Sequence, residues 1–185
     1  MNVVLAHGAG SGPEAPHLVQ VARALEAEGH RVLRFAFPYR AEGRKVPDRM
    51  PRLVQSFREA ISSLGEGPVV LGGHSMGGRV ATMLEAETPT AAGLLLLSYP
   101  LHPPKKPEQL RSAHLPAIRC PVLWLRGPRD EFATVKVSLD PNWRIAEIAG
   151  ADHSFQVRKK DGRTREEVLE EVAKEACRFV GQIAP

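Results

Sequence analysis

Six short apolar runs constrain this chain more than any other feature. NVVLAHG, RVLRFAFP, PVVLGG, GLLLLSYP, PVLWLRG and WRIAEIAG recur along 185 residues, with stretches of helical period between them. Runs this short and this continuously apolar read as strands buried on both faces, the way the strands of a parallel sheet are covered. Strands and helices in repeated turn mean an α/β fold. The inward faces of the helices can be counted: Leu18, Val21, Ala22 and Leu25 in the first, Leu53, Val54, Phe57, Ile61 and Leu64 in the second, Val80, Met83 and Leu84 in a third after Ser75. A last helix opens on the capping-box pair Thr164 and Glu167 and buries Val168, Leu169, Val172, Ala176, Phe179, Val180 and Ile183. Gly29 and Gly65 fall where C-terminal caps belong. The length suits one domain over residues 1–185.

Composition removes several classes. At 43% apolar and 25% charged, with two cysteines, the chain is neither disordered nor a disulfide scaffold. The longest uncharged apolar stretch, Ala91 to Leu97, falls far short of the ~18 residues of a membrane span. MNVVLAHGAG lacks the basic start and cleavage site of a secretory signal, so a cytoplasmic protein is expected. A net charge of +4 is modest, and no nucleic-acid or membrane partner is indicated. Two basic clusters, eight residues from Arg31 to Arg58 and five in QVRKKDGRTR, read as solvated surface. Cys120 and Cys177 show no CxxC spacing and receive no chemistry. His17, His30, His102 and His114 are scattered with no metal-ligand spacing, so neither a metal nor a cofactor is expected.

The sharpest motif is Gly73-His74-Ser75-Met76-Gly77, a G-x-S-x-G placed between a strand and a helix. That context puts a serine on a tight strand-to-helix turn with its hydroxyl clear of the sheet. A serine hydroxyl needs a base within hydrogen-bond reach, itself oriented by an acid. PVLWLRG is followed at once by Pro128, Arg129 and Asp130, which makes Asp130 the acid, with Glu131 in reserve. GADHSF after the last strand makes His153 the base, and the neighbouring Asp152 is set aside. The competing roles are an N-cap for Asp130, on a helix over Glu131 to Leu139, and a solvated loop position for His153. An oxyanion would be held by the N–H of Met76, at the positive end of the helix, and by Ala9 or alternatively Gly10 in HGAGSG. His7 reads as a brace for that turn and His74 as packing under the elbow.

HGAGSG, GGHSMGG, GPRDEF and GADHSF together resemble the α/β-hydrolase superfamily, across essentially the whole chain. LRFAFPYRAEGRKVPDR and the segment from Ser98 to Phe132 are similar to a small branch of predicted hydrolases. That branch contains a testis-expressed protein and a regulatory subunit of a histone-acetylating complex. The resemblance implies Ser75, Asp130 and His153 as a triad, and a minimal fold that begins at the third strand of the full one. It also implies a six-stranded, mostly parallel sheet of order 2-1-3-4-5-6, helices on both faces, no large cap domain, and a cleft at the carboxyl ends of the first and third strands. In that branch a basic residue often stands where this chain has His74.

The function expected is a serine hydrolase acting on a small carboxylic ester or thioester. A non-catalytic interaction module and an acyltransferase on the same residues are the alternatives. Tyr39, Arg40 and His102 are candidate substrate contacts, and Arg40, Arg44, Lys105 and Lys106 would favour an anionic substrate. Between the fourth and fifth strands a crossover helix is expected around Pro107 to His114. The prolines there leave no room for a mobile lid, which predicts an open cleft and short acyl groups.

Overall fold

The computed structural model describes residues 1–135, 137 and 139–183. Its sheet contains β1 (Asn2–Ala6), β2 (Arg31–Phe35), β3 (Val69–His74), β4 (Gly93–Leu97), β5 (Val122–Arg126) and β6 (Trp143–Glu147). All neighbours pair in parallel, in the order β2-β1-β3-β4-β5-β6. This is the expected order.

Each central strand is apolar throughout because it feeds two cores. On β4, Leu94 and Leu96 enter one core while Leu95 and Leu97 enter the other, as the two-residue period of a strand requires. The first core is closed by α3 (Met50–Ser62) and α4 (Met76–Glu87), through Leu53, Val54, Phe57, Val80 and Leu84. The second is closed by α1 (Pro16–Ala27) and α5 (Arg165–Ile183), through Leu18, Val21, Leu25, Val168, Val172 and Val180. A short α2 (Pro38–Ala41) follows β2. The capping box of α5 forms as expected: Glu167 Oε2 accepts the Thr164 N–H at 2.7 Å, and Thr164 Oγ1 accepts the Glu167 N–H at 3.2 Å. Among the described residues no helix is long and apolar enough to cross a membrane.

Three expectations need correction. The segment 107–114 forms no helix; the β4–β5 connection carries only a 3₁₀ turn at Leu115–Ala117, and the Arg111 N–H and carbonyl are bonded instead to the Leu101 carbonyl and the Tyr99 hydroxyl. Nor do the described residues of 131–139 form a helix; residues 136 and 138 lie outside the described set. The third correction follows from the second. With no helix among the described residues between β5 and β6, the edge strand β6 leaves Arg144, Ile145 and Glu147 exposed, so two-sided burial holds for β1, β3, β4 and β5 but not for β6 or the partly buried β2.

Candidate active site

Ser75 joins β3 to α4 with φ 51° and ψ −113°, a left-handed backbone that is costly for any residue but glycine. The glycines on either side make this turn possible. A Cβ at Gly73 would lie 2.1 Å from the Ala6 carbonyl oxygen, and one at Gly77 would lie 2.2 Å from the same atom. The turn can therefore press against β1 only where both positions lack side chains. The Ser75 N–H donates to the Leu97 carbonyl at 2.9 Å, which ties the elbow to β4.

Two loops at the carboxyl ends of β5 and β6 converge on this serine. His153 Nε2 lies 2.9 Å from Ser75 Oγ, and His153 Nδ1 lies 2.8 Å from Asp130 Oδ1. Asp130 is buried and also accepts the Phe132 N–H at 2.9 Å, which fixes its carboxylate. The Phe132 ring stacks on the imidazole at 4.1 Å. Asp152 plays the local role that adjacency suggested, its Oδ1 accepting the N–H groups of Ser154 and Gln156. Glu131 is exposed. Arg129 stitches the two loops together, donating to the carbonyls of Gly150 and Gln156.

His74 does more than pack. One ring nitrogen, Nε2, donates to the His153 carbonyl at 2.8 Å, so the elbow holds the loop that carries the imidazole. Burial pushes the His74 pKa down to about 4, and the ring is neutral at pH 7. Its other face lies 4.2 Å from the ring of His17, which burial likewise holds well below the usual histidine range.

The HGAGSG turn is fixed through its carbonyls. His7 Nε2 accepts the Phe37 N–H at 3.1 Å, which leaves the proton on Nδ1 to donate to the Gly8 carbonyl at 2.7 Å. Tyr39 donates its hydroxyl to the Ala9 carbonyl at 2.8 Å. In a trans peptide the N–H points opposite to the C=O. The Gly8 and Ala9 carbonyls are thus engaged by the fold, and the N–H groups of the same two peptides belong to Ala9 and Gly10, which both line the cleft. Met76, first in α4, lines the same cleft, and among the described residues no hydrogen bond of the fold engages the N–H of Ala9, Gly10 or Met76.

The cleft has a volume of about 730 Å³ and passes over Ser75, Met76, Ala9, Gly10 and His153, walled by Pro47, Met50, Leu53, Pro100 and Phe132. The substrate contacts expected from sequence are not in it. Tyr39 is buried behind the turn and positions Ala9. His102 is buried, with Nδ1 donating to the Pro103 carbonyl and Nε2 accepting the Thr134 N–H, so it holds two loops together. Arg40 is exposed and off the cleft. The arginines that do line it are Arg79 and Arg111, which no motif flagged. Arg79 could have been found from its position one helical turn beyond Ser75; Arg111 had no sequence signal. Among the described residues no group of three or more His, Cys, Asp or Glu is placed to hold a metal ion.

Residues 1–181 match the model of a family described as alpha/beta hydrolase domain. Solved structures share the fold at low identity. Dienelactone hydrolase from Anabaena variabilis superposes with a TM-score of 0.75 at 22% identity, over 98% of this chain and 85% of that one. Est1E from Butyrivibrio proteoclasticus, with ferulic acid bound, gives 0.70 at 19%, over 98% and 88%. An alpha-beta serine hydrolase homologue from Coxiella burnetii gives 0.72 at 16%, over 97% and 85%.

Proposed function

Because the chain belongs to the alpha/beta hydrolase domain family, we propose that it is a serine hydrolase that cleaves a carboxylic ester or thioester through an acyl-enzyme. The observation that carries this reading is the unbroken chain from Ser75 Oγ through the His153 imidazole to Asp130, at 2.9 and 2.8 Å. Ser75 Oγ attacks the acyl carbon while its proton passes to His153 Nε2. Asp130 holds the imidazole by Nδ1 and stabilises the imidazolium. The oxyanion takes hydrogen bonds from the N–H groups of Met76, at the positive end of α4, and Ala9, with Gly10 as the alternative to Ala9. His153 returns the proton to the leaving oxygen or sulfur, which departs as alcohol or thiol. Water then attacks the acyl-enzyme with His153 again as base, releasing the acid and restoring Ser75.

The preferred acyl groups are short, since the β4–β5 segment builds no lid and each CH₂ left in water forgoes about 0.8 kcal/mol of burial. The likeness of LRFAFPYRAEGRKVPDR and of the segment from Ser98 to Phe132 to the branch that contains a testis-expressed protein and a histone-acetylating complex subunit supports reading this chain as a member of it. Some members there serve as complex subunits. Labelling by a fluorophosphonate separates enzyme from subunit: the wild type takes one equivalent and Ser75→Ala takes none. A wild type that stays unlabelled, with no ester turned over, overturns the hydrolase reading.

A further inference from the structure

The cleft contains two cations that no carboxylate among the described residues neutralises. Arg79 and Arg111 both line it, partly buried. Among the described residues neither guanidinium forms an ion pair, whereas Arg44, Arg52, Arg58 and Arg163 each reach a carboxylate at 3.0 Å or less. Arg79 Nε is fully enclosed and has no partner. The carboxylates nearby are already engaged. Asp48, on the same wall, accepts from Arg44 at 2.9 Å, from Arg52 at 3.2 Å and from the Tyr39 N–H at 3.1 Å. Asp130 serves His153.

Three circumstances make this arrangement unfavourable when the cleft holds only water. The two guanidiniums repel each other; burial and then the Arg79 charge pull the Arg111 pKa below the ordinary arginine value. Arg79 also lies in the first turn of α4, where the helix dipole disfavours a cation. Neither residue is free to swing away at its backbone. The Arg111 N–H donates to the Leu101 carbonyl at 2.7 Å, and its carbonyl accepts the hydroxyl of the buried Tyr99 at 2.7 Å. The Arg79 carbonyl accepts from Thr82 Oγ1 at 2.8 Å, and that oxygen is 2.9 Å from His114 Nε2, which joins α4 to the loop of Arg111. An anion between the two guanidiniums would satisfy both.

We propose that Arg79 and Arg111 form an anion subsite that selects substrates bearing a second, free carboxylate a few bonds from the reacting carbonyl, since Arg79 stands one helical turn beyond Ser75. The proposal rests on Ser75 being the nucleophile, since that fixes where the carbonyl sits. A succinyl or glutaryl half-ester spans such a distance. The basic residues expected from sequence to do this do not: Arg44 is paired, and Arg40, Lys105 and Lys106 lie off the cleft.

Two substrate pairs assign the carboxylate to the acyl or the leaving part: 4-nitrophenyl hemisuccinate against 4-nitrophenyl valerate, and 4-carboxyphenyl butyrate against phenyl butyrate. In the wild type kcat/KM for the anionic member exceeds its neutral counterpart by about tenfold or more in at least one pair, as a hydrogen bond to a charged group warrants. That ratio collapses in Arg79→Gln and in Arg111→Gln, and Arg111→Glu reverses it. A ratio at or below one in both pairs, or one that survives both glutamine variants, overturns the subsite. A calorimetric titration independent of turnover uses Ser75→Ala protein with monomethyl succinate and with methyl butyrate. Binding of the anion alone, lost on adding Arg79→Gln, supports the subsite even if the wild type cleaves no ester and resists fluorophosphonate, in which case only the hydrolase reading falls. Equal or undetectable binding of both probes refutes the subsite.

Discussion

Lowering the pH from 7 to 5 should destabilise this protein through the histidines beneath the elbow. His74 is 6% exposed, and burial lowers its pKa from 6.5 to about 4. The charges of Asp130 and Asp152 act in the opposite direction but do not offset the burial. Since the folded pKa lies below the unfolded one, the unfolded chain binds more protons between those values, and stability falls as pH falls. The stabilisation of the neutral ring is fully present above pH 6.5, declines through the interval, and is lost by pH 4. At pH 5 the unfolded ring is protonated and the folded one is not, over an interval of about 1.5 pH units. At 1.36 kcal/mol per unit this costs about 2 kcal/mol. For a chain of this length that lowers Tm by roughly 4–8 °C. His17, shifted in the same direction and with neither ring nitrogen partnered among the described residues, adds to the loss. Scanning calorimetry at pH 7 and 5, on wild type and His74→Gln, measures it. Glutamine keeps an N–H to offer the His153 carbonyl and removes the titration, so the variant's Tm should depend less on pH. Superimposable pH dependences would refute the assignment of the loss to His74.

Gly77→Ala places a Cβ 2.2 Å from the Ala6 carbonyl oxygen, so the elbow must move off β1; a loss of about 2 kcal/mol or more, read from urea unfolding, is expected. Asp130→Asn should leave the protein folded while kcat on a 4-nitrophenyl ester falls by roughly 10³ or more, because the imidazole loses its orienting anion, whereas Glu131→Gln, at an exposed position, changes kcat by no more than about twofold. Tyr39→Phe removes the hydroxyl that anchors the Ala9 carbonyl. The N–H on that peptide belongs to Gly10, the reserve donor, so with Met76 and Ala9 holding the oxyanion kcat should change by no more than about twofold; a tenfold fall with KM unchanged would make Gly10 the working donor.

The sheet was legible because its information is local. A strand such as GLLLL, apolar at both parities, can be satisfied only between two layers of helix, and the glycines at 73 and 77 could be read as a demand for close backbone approach before any contact was known. The connections on the β5 and β6 side were less legible. A parallel crossover requires length, and in this chain the prolines from 100 to 116 and the turns after Asp130 cross without an α-helix among the described residues. Sequence pattern supplied helices at both places because crossovers usually contain them.

The same loops explain what could be read of the site. Ser75, Asp130 and His153 follow the carboxyl ends of β3, β5 and β6 by one, four and six residues, so the order of strands fixes their convergence. Arg111 lies fourteen residues beyond the end of β4, and its position depends on a contact between distant groups, the Tyr99 hydroxyl on its carbonyl. His102 and Tyr39 were misjudged for the same reason. Each is a polar side chain near the cleft in sequence, and in each the polar atoms turn inward to hold a backbone group, Thr134 N–H in one case and the Ala9 carbonyl in the other. A polar residue beside an active-site loop can contact substrate or hold the loop that does, and burial decides between them: Tyr39 and His102 are enclosed by the fold, whereas Arg79 and Arg111 line the cleft with no carboxylate among the described residues to neutralise them.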